Sequence, residues 1–307
     1  MNKNTHIITG NKGFVGLNLT DYLVQKKKET TGVSRNPTKD ELSYETLSLE
    51  KLNQAKSFIH LAGKAHDLKK TSEDKEYFEV NSELTKTLFN QFLKSECEIF
   101  IYMSSVKAAA DEVEGVLTEE VTPNPVTVYG KSKLAAEKYI LSKEIPDGKR
   151  VYILRPCMIH GPNNKGNLNL LYSFVSKGIP YPFGKYENKR SFVSVENLCF
   201  VINELIDNTN IESGVYNVAD NESLSTKDLV KIMGEVTNKP AKILKTPKFL
   251  VSTLAKLGDI LPLPINSERL QKLTENYVVS NQKIKNRIEK ELPLSAEKGI
   301  EKTIASF

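Results

Sequence analysis

The sequence predicts an α/β protein built on a doubly wound parallel sheet with a second, smaller lobe. Three observations carry that prediction. Strand-like apolar runs alternate with helix-spaced segments from the N-terminus to about residue 155. The first run, His6-Ile7-Ile8-Thr9, enters glycines at 10, 13 and 16, after which Leu17, Leu19, Tyr22 and Leu23 recur at helical spacing. Beyond Arg155 the punctuation changes, with Pro156, Gly161, Pro162, Gly166, Gly178, Pro180, Pro182 and Gly184 marking loops.

In chain order, strands are expected at 6–9, 30–34, 57–61, 99–103 and 151–154, with a short one near 46–49. Helices are expected at 14–26, 75–94 and 129–142, and later at 168–177 and 195–207. Helical crossovers between successive strands make the strands parallel, and ligands of such sheets bind beyond the C-terminal strand ends. Residues 1–155, together with about 191–214, are read as the sheet domain. Residues about 156–190 and 215–307 are read as a smaller substrate-binding lobe interleaved with it.

Composition narrows the function classes. At 307 residues, 39% hydrophobic and 26% charged, the chain has the make-up of a globular protein. Its net charge of +5 is spread along the chain. The runs Lys26-Lys27-Lys28 and Lys69-Lys70 therefore read as helix ends, and no nucleic-acid partner is expected. Cys97, Cys157 and Cys199 have neither disulfide nor metal spacing, so no metal and a cytoplasmic setting are expected. The N-terminus leads into a strand rather than a signal peptide, and no apolar run is long enough to span a bilayer. The amphipathic stretch 249–261 reads as a helix facing the core, with a membrane surface as the alternative.

Two motifs carry chemistry. In the turn Gly10-Asn11-Lys12-Gly13-Phe14-Val15-Gly16, small residues let a pyrophosphate approach the backbone at a helix N-terminus, although the spacing is G-x-x-G-x-x-G. Farther on, Tyr129 and Lys133 stand four apart in a helix-forming run, on one face. A free phenol titrates near ~10, and a neighbouring ammonium brings it toward the range where it can act as acid and base.

With these motifs about 115 residues apart, the chain resembles the extended short-chain dehydrogenase/reductase family of nucleotide-sugar epimerases, dehydratases and reductases. Other matching segments are Phe58-Ile59-His60-Leu61-Ala62-Gly63, Val80-Asn81, Met103-Ser104-Ser105, Leu154-Arg155-Pro156, Arg190-Ser191-Phe192-Val193-Ser194-Val195 and Tyr216-Asn217-Val218. The resemblance implies a Rossmann-like domain, a homodimer, and a catalytic set of Ser105, Tyr129 and Lys133. It also implies that Leu61, Ala62, Gly63, Pro156 and Met158 line a nicotinamide dinucleotide, with Ser48 and Leu49 at its adenine. Asn81 lacks its usual neighbours and is read as structural.

The end of the second strand bears on which dinucleotide binds. Val33-Ser34-Arg35-Asn36 offers a hydroxyl and a guanidinium, with no carboxylate until Asp40. That pair suits a 2′-phosphate, so NADP(H) is favoured, with NAD(H) the alternative. Dehydratases of the family carry an acid/base pair two positions after the serine; Lys107-Ala108 stands there, which argues against dehydration. A 4-ketoreductase and a 4-epimerase remain. The segments Asn164-Lys165-Gly166-Asn167-Leu168 and Asn188-Lys189-Arg190-Ser191-Phe192 resemble reductases of UDP-4-keto-6-deoxy-N-acetylhexosamines in surface-polysaccharide synthesis. A redox-inactive NADP-binding regulator is a further alternative. Lys107, Lys165, Asn167, Arg190 and Arg269 are the candidate contacts to a UDP-sugar.

Overall fold

The computed structural model describes residues 4–64, 73–164, 167–261 and 265–307. Its six-stranded sheet is wholly parallel, in the order β2-β1-β3-β4-β6-β9. The strands are β1 (Thr5–Thr9), β2 (Glu29–Val33), β3 (Ala55–His60), β4 (Ile99–Met103), β6 (Arg150–Pro156) and β9 (Gly214–Val218). Shorter strands pair outside the sheet: β5 (Val116–Leu117) with β10 (Val278–Val279), and β7 (Met158–His160) with β8 (Phe192–Ser194). The chain winds outward from β1 to β2, then returns and builds the other half from β3. A crevice therefore opens between β1 and β3, where the order reverses. Register makes it flush: Thr9 lies opposite both Val33 and His60, so Gly10, Ser34 and Leu61 leave the sheet side by side.

Alternation with period two buries both faces. Ile8, Ile59 and Ile101 pack with Leu19 and Leu23 of α1 (Phe14–Gln25) and Leu198 and Ile202 of α7 (Val195–Asp207). Ile7, Phe58 and Phe100 pack on the other face with Phe89 and Phe92 of α4 (Leu84–Lys94) and with Ala136 and Ile140 of α5 (Val128–Leu141). A third core joins Leu168 and Val175 of α6 (Asn167–Val175) to Leu229, Val230 and Met233 of α8 (Thr226–Val236). Ile300 and Ile304 of α12 (Ala296–Ile304) complete it. Three further helices, α9 (Lys248–Gly258), α10 (Ser267–Thr274) and α11 (Gln282–Ile288), lie between α8 and α12.

Two elements differ from expectation. No strand forms at 46–49. Instead Ser48 caps α2 (Leu49–Gln54), its hydroxyl accepting the Lys51 N–H at 3.3 Å with Glu50 in the first turn, and these helix-terminus effects outweigh the local β pattern. The helix expected over 75–94 is divided into α3 (Asp74–Phe78) and α4 by a π turn, Glu79–Glu83. That turn swings buried Asn81 inward. The lysine run 26–28 does end α1, with Lys27 left-handed (φ 60°) and Lys28 paired to Asp207 at 2.7 Å. The run 69–70 lies outside the described residues.

Candidate active site

The crevice floor is a turn that only glycine fits. Gly10 has φ 70°, and a Cβ there would lie 2.7 Å from the Ala62 nitrogen, so the loop of Leu61, Ala62 and Gly63 crosses directly over it. A Cβ on Gly16 would come within 2.2 Å of the Gly10 carbonyl, which seats α1 on the turn. Gly13 is the N-cap of α1 and supplies no side-chain acceptor. The leading N–H groups of Phe14, Val15 and Gly16 are the intrahelical orphans that favour an anion.

At the end of β2 the Ser34 hydroxyl is buried without a protein partner, and Arg35 beside it is exposed. Lys12 reaches across the turn to the Asn36 carbonyl (2.5 Å) and the Glu41 carboxylate (2.8 Å). Glu41 also accepts from Asn11 (2.5 Å) and the Thr38 N–H (2.7 Å), and Lys12 foremost holds its pKa down at about 2. The sequence reading missed Glu41. Nothing local marks it, because only the turn at 38–41 brings a carboxylate back to the strand end. A glycine cradle at a helix N-terminus and an orphaned hydroxyl at the ribose end fit a nicotinamide dinucleotide.

The catalytic candidates converge from β4 and α5. Ser105 follows β4 and caps a short 3-10 turn, Val106–Ala108, by accepting the Lys107 N–H at 3.2 Å. Thr127 caps α5 by accepting the Gly130 N–H at 3.2 Å, and Asp111 binds the N–H groups of Val126 (2.6 Å) and Thr127 (2.9 Å). A Cβ on Gly130 would stand 2.3 Å from the Lys107 carbonyl, so the first turn of α5 rests on the turn that bears Ser105. Ser105 and the Tyr129 phenol share a hydrogen bond, and Tyr77 stands edge-on to the Tyr129 ring at 6.4 Å.

Lys133 is buried one turn along. Its Nζ donates to the Met103 carbonyl (2.8 Å) and lies 5.0 Å over the Tyr102 ring. Burial lowers its pKa to about 8 against the opposing pull of Glu137. One expectation needs correction. The phenol of Tyr129 does not fall toward neutrality under Lys133; burial raises its pKa, opposed by the Ser105 bond, while the ammonium is turned to Met103. Asn81 ties the surrounding pieces together. It accepts the Lys64 N–H (2.8 Å) and donates to the Lys64 carbonyl (3.1 Å) and the Ser132 hydroxyl (3.0 Å).

Lys107 lies where this site meets the second lobe. Its Nζ donates to the Asp111 carbonyl (2.7 Å) and sits 4.3 Å over the Tyr277 ring, whose hydroxyl bonds the Ala110 carbonyl (2.6 Å). Burial first of all lowers the Lys107 pKa, and Arg190 is among the charges that act on it. Arg190 itself donates to the Lys272 carbonyl and lies 3.4 Å from Glu275. Serine, tyrosine, Lys107 and Arg190 thus share one neighbourhood. Pro156 ends β6, and half-buried Met158 opens β7. Ser48 is engaged as a helix cap, beside exposed Leu49. Arg269 stands on the exposed first turn of α10. Lys165 and the Asn167 side chain fall outside the described residues.

A buried ion pair braces the site from behind. Arg155 donates from Nε (2.9 and 3.2 Å) and Nη2 to Glu137, one helical turn beyond Lys133, and the Ser104 hydroxyl donates to the same carboxylate. Arg155 thereby ties the C-terminal end of β6 to α5. Its partner Glu137 has the spacing of Lys133 plus four, a signal the sequence reading left unused. Among the described residues no cluster of His, Cys, Asp and Glu is arranged to hold a metal, and no helix is long and apolar enough to cross a membrane.

Comparison with known proteins agrees with this geometry. Residues 6–219 match the NAD dependent epimerase/dehydratase family. A Vibrio cholerae protein described as UDP-glucose 4-epimerase is 30% identical, over 98% of this chain and 94% of its own. A Pseudomonas aeruginosa GDP-6-deoxy-D-mannose reductase is 26% identical, over 78% of this chain and 82% of its own. Among solved structures, RMD from Pseudomonas aeruginosa complexed with NADPH superposes with a TM-score of 0.71. The two are 20% identical, over 99% of this chain and 98% of that one, a likeness of fold. The chain belongs to the NAD-dependent epimerase/dehydratase family, the extended short-chain dehydrogenase/reductases that act as nucleotide-sugar epimerases and reductases.

Proposed function

We propose that the protein is an NADP(H)-dependent nucleotide-sugar 4-ketoreductase, reducing a UDP-4-keto-6-deoxy-N-acetylhexosamine for surface-polysaccharide synthesis. One observation carries the choice of reductase: β2 ends in an unpartnered Ser34 hydroxyl beside an exposed Arg35, a setting suited to a 2′-phosphate and so to a hydride donor exchanged at each turnover. When bound, the nicotinamide supplies the hydride to sugar C4. Tyr129 gives its phenolic proton to the C4 oxygen, and Ser105, already bonded to that phenol, fixes the same oxygen. Lys133 supplies a buried positive charge on the face of α5 that carries Tyr129. Gly10, Lys12, Gly13, Phe14, Val15, Gly16, Leu61, Ala62, Gly63, Pro156 and Met158 form the cofactor side of the crevice. Lys107, Arg190 and, farther out, Arg269, with Lys165 and Asn167, serve the diphosphate and sugar. The sheet domain and the interleaved lobe divide cofactor from substrate, and two copies associate as a homodimer.

The specific observation favouring a second reading, a UDP-hexose 4-epimerase with retained NAD, is the 30% identity to the Vibrio cholerae protein. Absorbance of NADPH is followed as UDP-4-keto-6-deoxy-N-acetylglucosamine is added, and stoichiometric oxidation supports the reductase. Interconversion of UDP-N-acetylglucosamine and UDP-N-acetylgalactosamine without added cofactor replaces it with the epimerase. Dinucleotide binding with neither activity supports a redox-inactive regulator.

A further inference from the structure

Helix α9 buries only Val251 and Ala255 against the lobe and leaves a long apolar stripe uncovered. Leu250, Leu254, Leu257 and Leu261 follow one another at intervals of four, three and four residues, along one side of the helix and its continuation, and all four are exposed. Phe249 (69% exposed) and Ile260 (84%) extend the stripe at its ends, and Leu244 lies before it. The expected core-facing helix is therefore only half realised. An apolar face of this extent, concentrated on one short segment, marks an interaction surface.

The charges around the stripe identify what covers it. Between residues 239 and 261 the chain has five lysines, at 239, 242, 245, 248 and 256, every one exposed, and a single carboxylate, Asp259. That carboxylate is occupied at the helix end by the N–H (2.9 Å) and hydroxyl (2.6 Å) of Ser267. Elsewhere the two signs are nearly balanced, since the whole chain carries only +5. Apolar side chains flanked by unopposed ammonium groups complement an anionic bilayer surface: the leucines, Phe249 and Ile260 enter the headgroup boundary while the lysines meet lipid phosphates. A second copy of this chain would bring the same five lysines against themselves, which disfavours self-association through this face.

We propose that α9 and the turn after it dock the protein in-plane on anionic lipid bilayers. The docking stands independently of the reaction, because none of these residues belongs to the candidate active site. Full-length protein is sedimented with vesicles of phosphatidylcholine alone or mixed with phosphatidylglycerol, at low and high salt. Binding at least tenfold stronger to the mixed vesicles, and weakened by salt, is expected. Phe249→Ser with Ile260→Ser, and separately Lys245→Glu with Lys248→Glu, should each reduce that binding about tenfold while the dinucleotide affinity stays unchanged. Equal partition to neutral and anionic vesicles, no partition, or undiminished binding by either variant overturns the proposal. A concentration-dependent dimer that the serine variant dissolves, without vesicle binding, assigns the face to a second copy instead.

Discussion

Replacing Glu137 by glutamine tests the brace behind the active site in two independent ways. Glu137 is fully buried and its partner Arg155 is 4% exposed, so solvent cannot take over either charge. The carboxylate also receives the Ser104 hydroxyl, and the variant leaves the Arg155 guanidinium without its counter-charge in the interior. Breaking a buried pair from one side costs about 3–5 kcal/mol. With a urea dependence of about 3 kcal/mol per molar, the unfolding midpoint should fall by roughly 1–1.7 M. The second readout is the pH profile. Lys133 titrates at about 8, and Glu137 is the charge that opposes its desolvation. The ammonium is the form that serves the reaction, so the rate is expected to fall as pH rises through about 8. In Glu137→Gln that limb moves to lower pH, because the group raising the pKa is gone. A denaturation midpoint within experimental error of the parent, with an unmoved alkaline limb, would refute the assignment of Glu137 to both roles.

The remaining predictions concern the crevice. Tyr129→Phe removes the proton donor and keeps the ring against Tyr77, so turnover should drop by at least about a hundredfold with dinucleotide affinity unchanged; retained turnover removes Tyr129 from the chemistry. Gly10→Ala forces a left-handed residue to carry a Cβ against the Ala62 backbone. Strain of about 1–2 kcal/mol before the clash is counted should weaken dinucleotide binding at least tenfold, as measured by fluorescence titration. Arg35→Asp should shift the ratio of affinities toward NADH, and Glu41→Gln, by freeing Lys12, should shift it toward NADPH. Unaltered ratios in both would show that this corner does not read the 2′ position.

Legibility followed the range of the forces involved. The run from His6 through the glycines into α1 was readable because strand, turn and helix are each encoded within a few residues, and Ser105, Tyr129 and Lys133 were readable through the resemblance. The strand expected near 46–49 did not form because the extended backbone at Ser48 (φ −92°, ψ 163°) is that of a helix N-cap, which locally resembles a strand. The π turn at 79–83 has no composition of its own; it exists because Asn81 finds partners in Lys64 and Ser132, distant in sequence. Glu41 escaped for the same reason, and so did the pairing of Glu137 with Arg155, although the spacing of Glu137 from Lys133 already set it on their shared helix face. The exposure of α9 depends on what the lobe leaves uncovered, which no periodicity can report.

Gly130 has a consequence for how such an enzyme can diversify. With no side chain there, the turn bearing the serine and the turn bearing the tyrosine pack directly against one another, and a shift of either one displaces the other. On the proposed reading, substitutions in the separate core formed by α6, α8 and α12 would reshape sugar recognition without disturbing the alignment of Ser105 with Tyr129. New substrates would then be reached by remodelling the lobe, with the serine–tyrosine pair inherited intact.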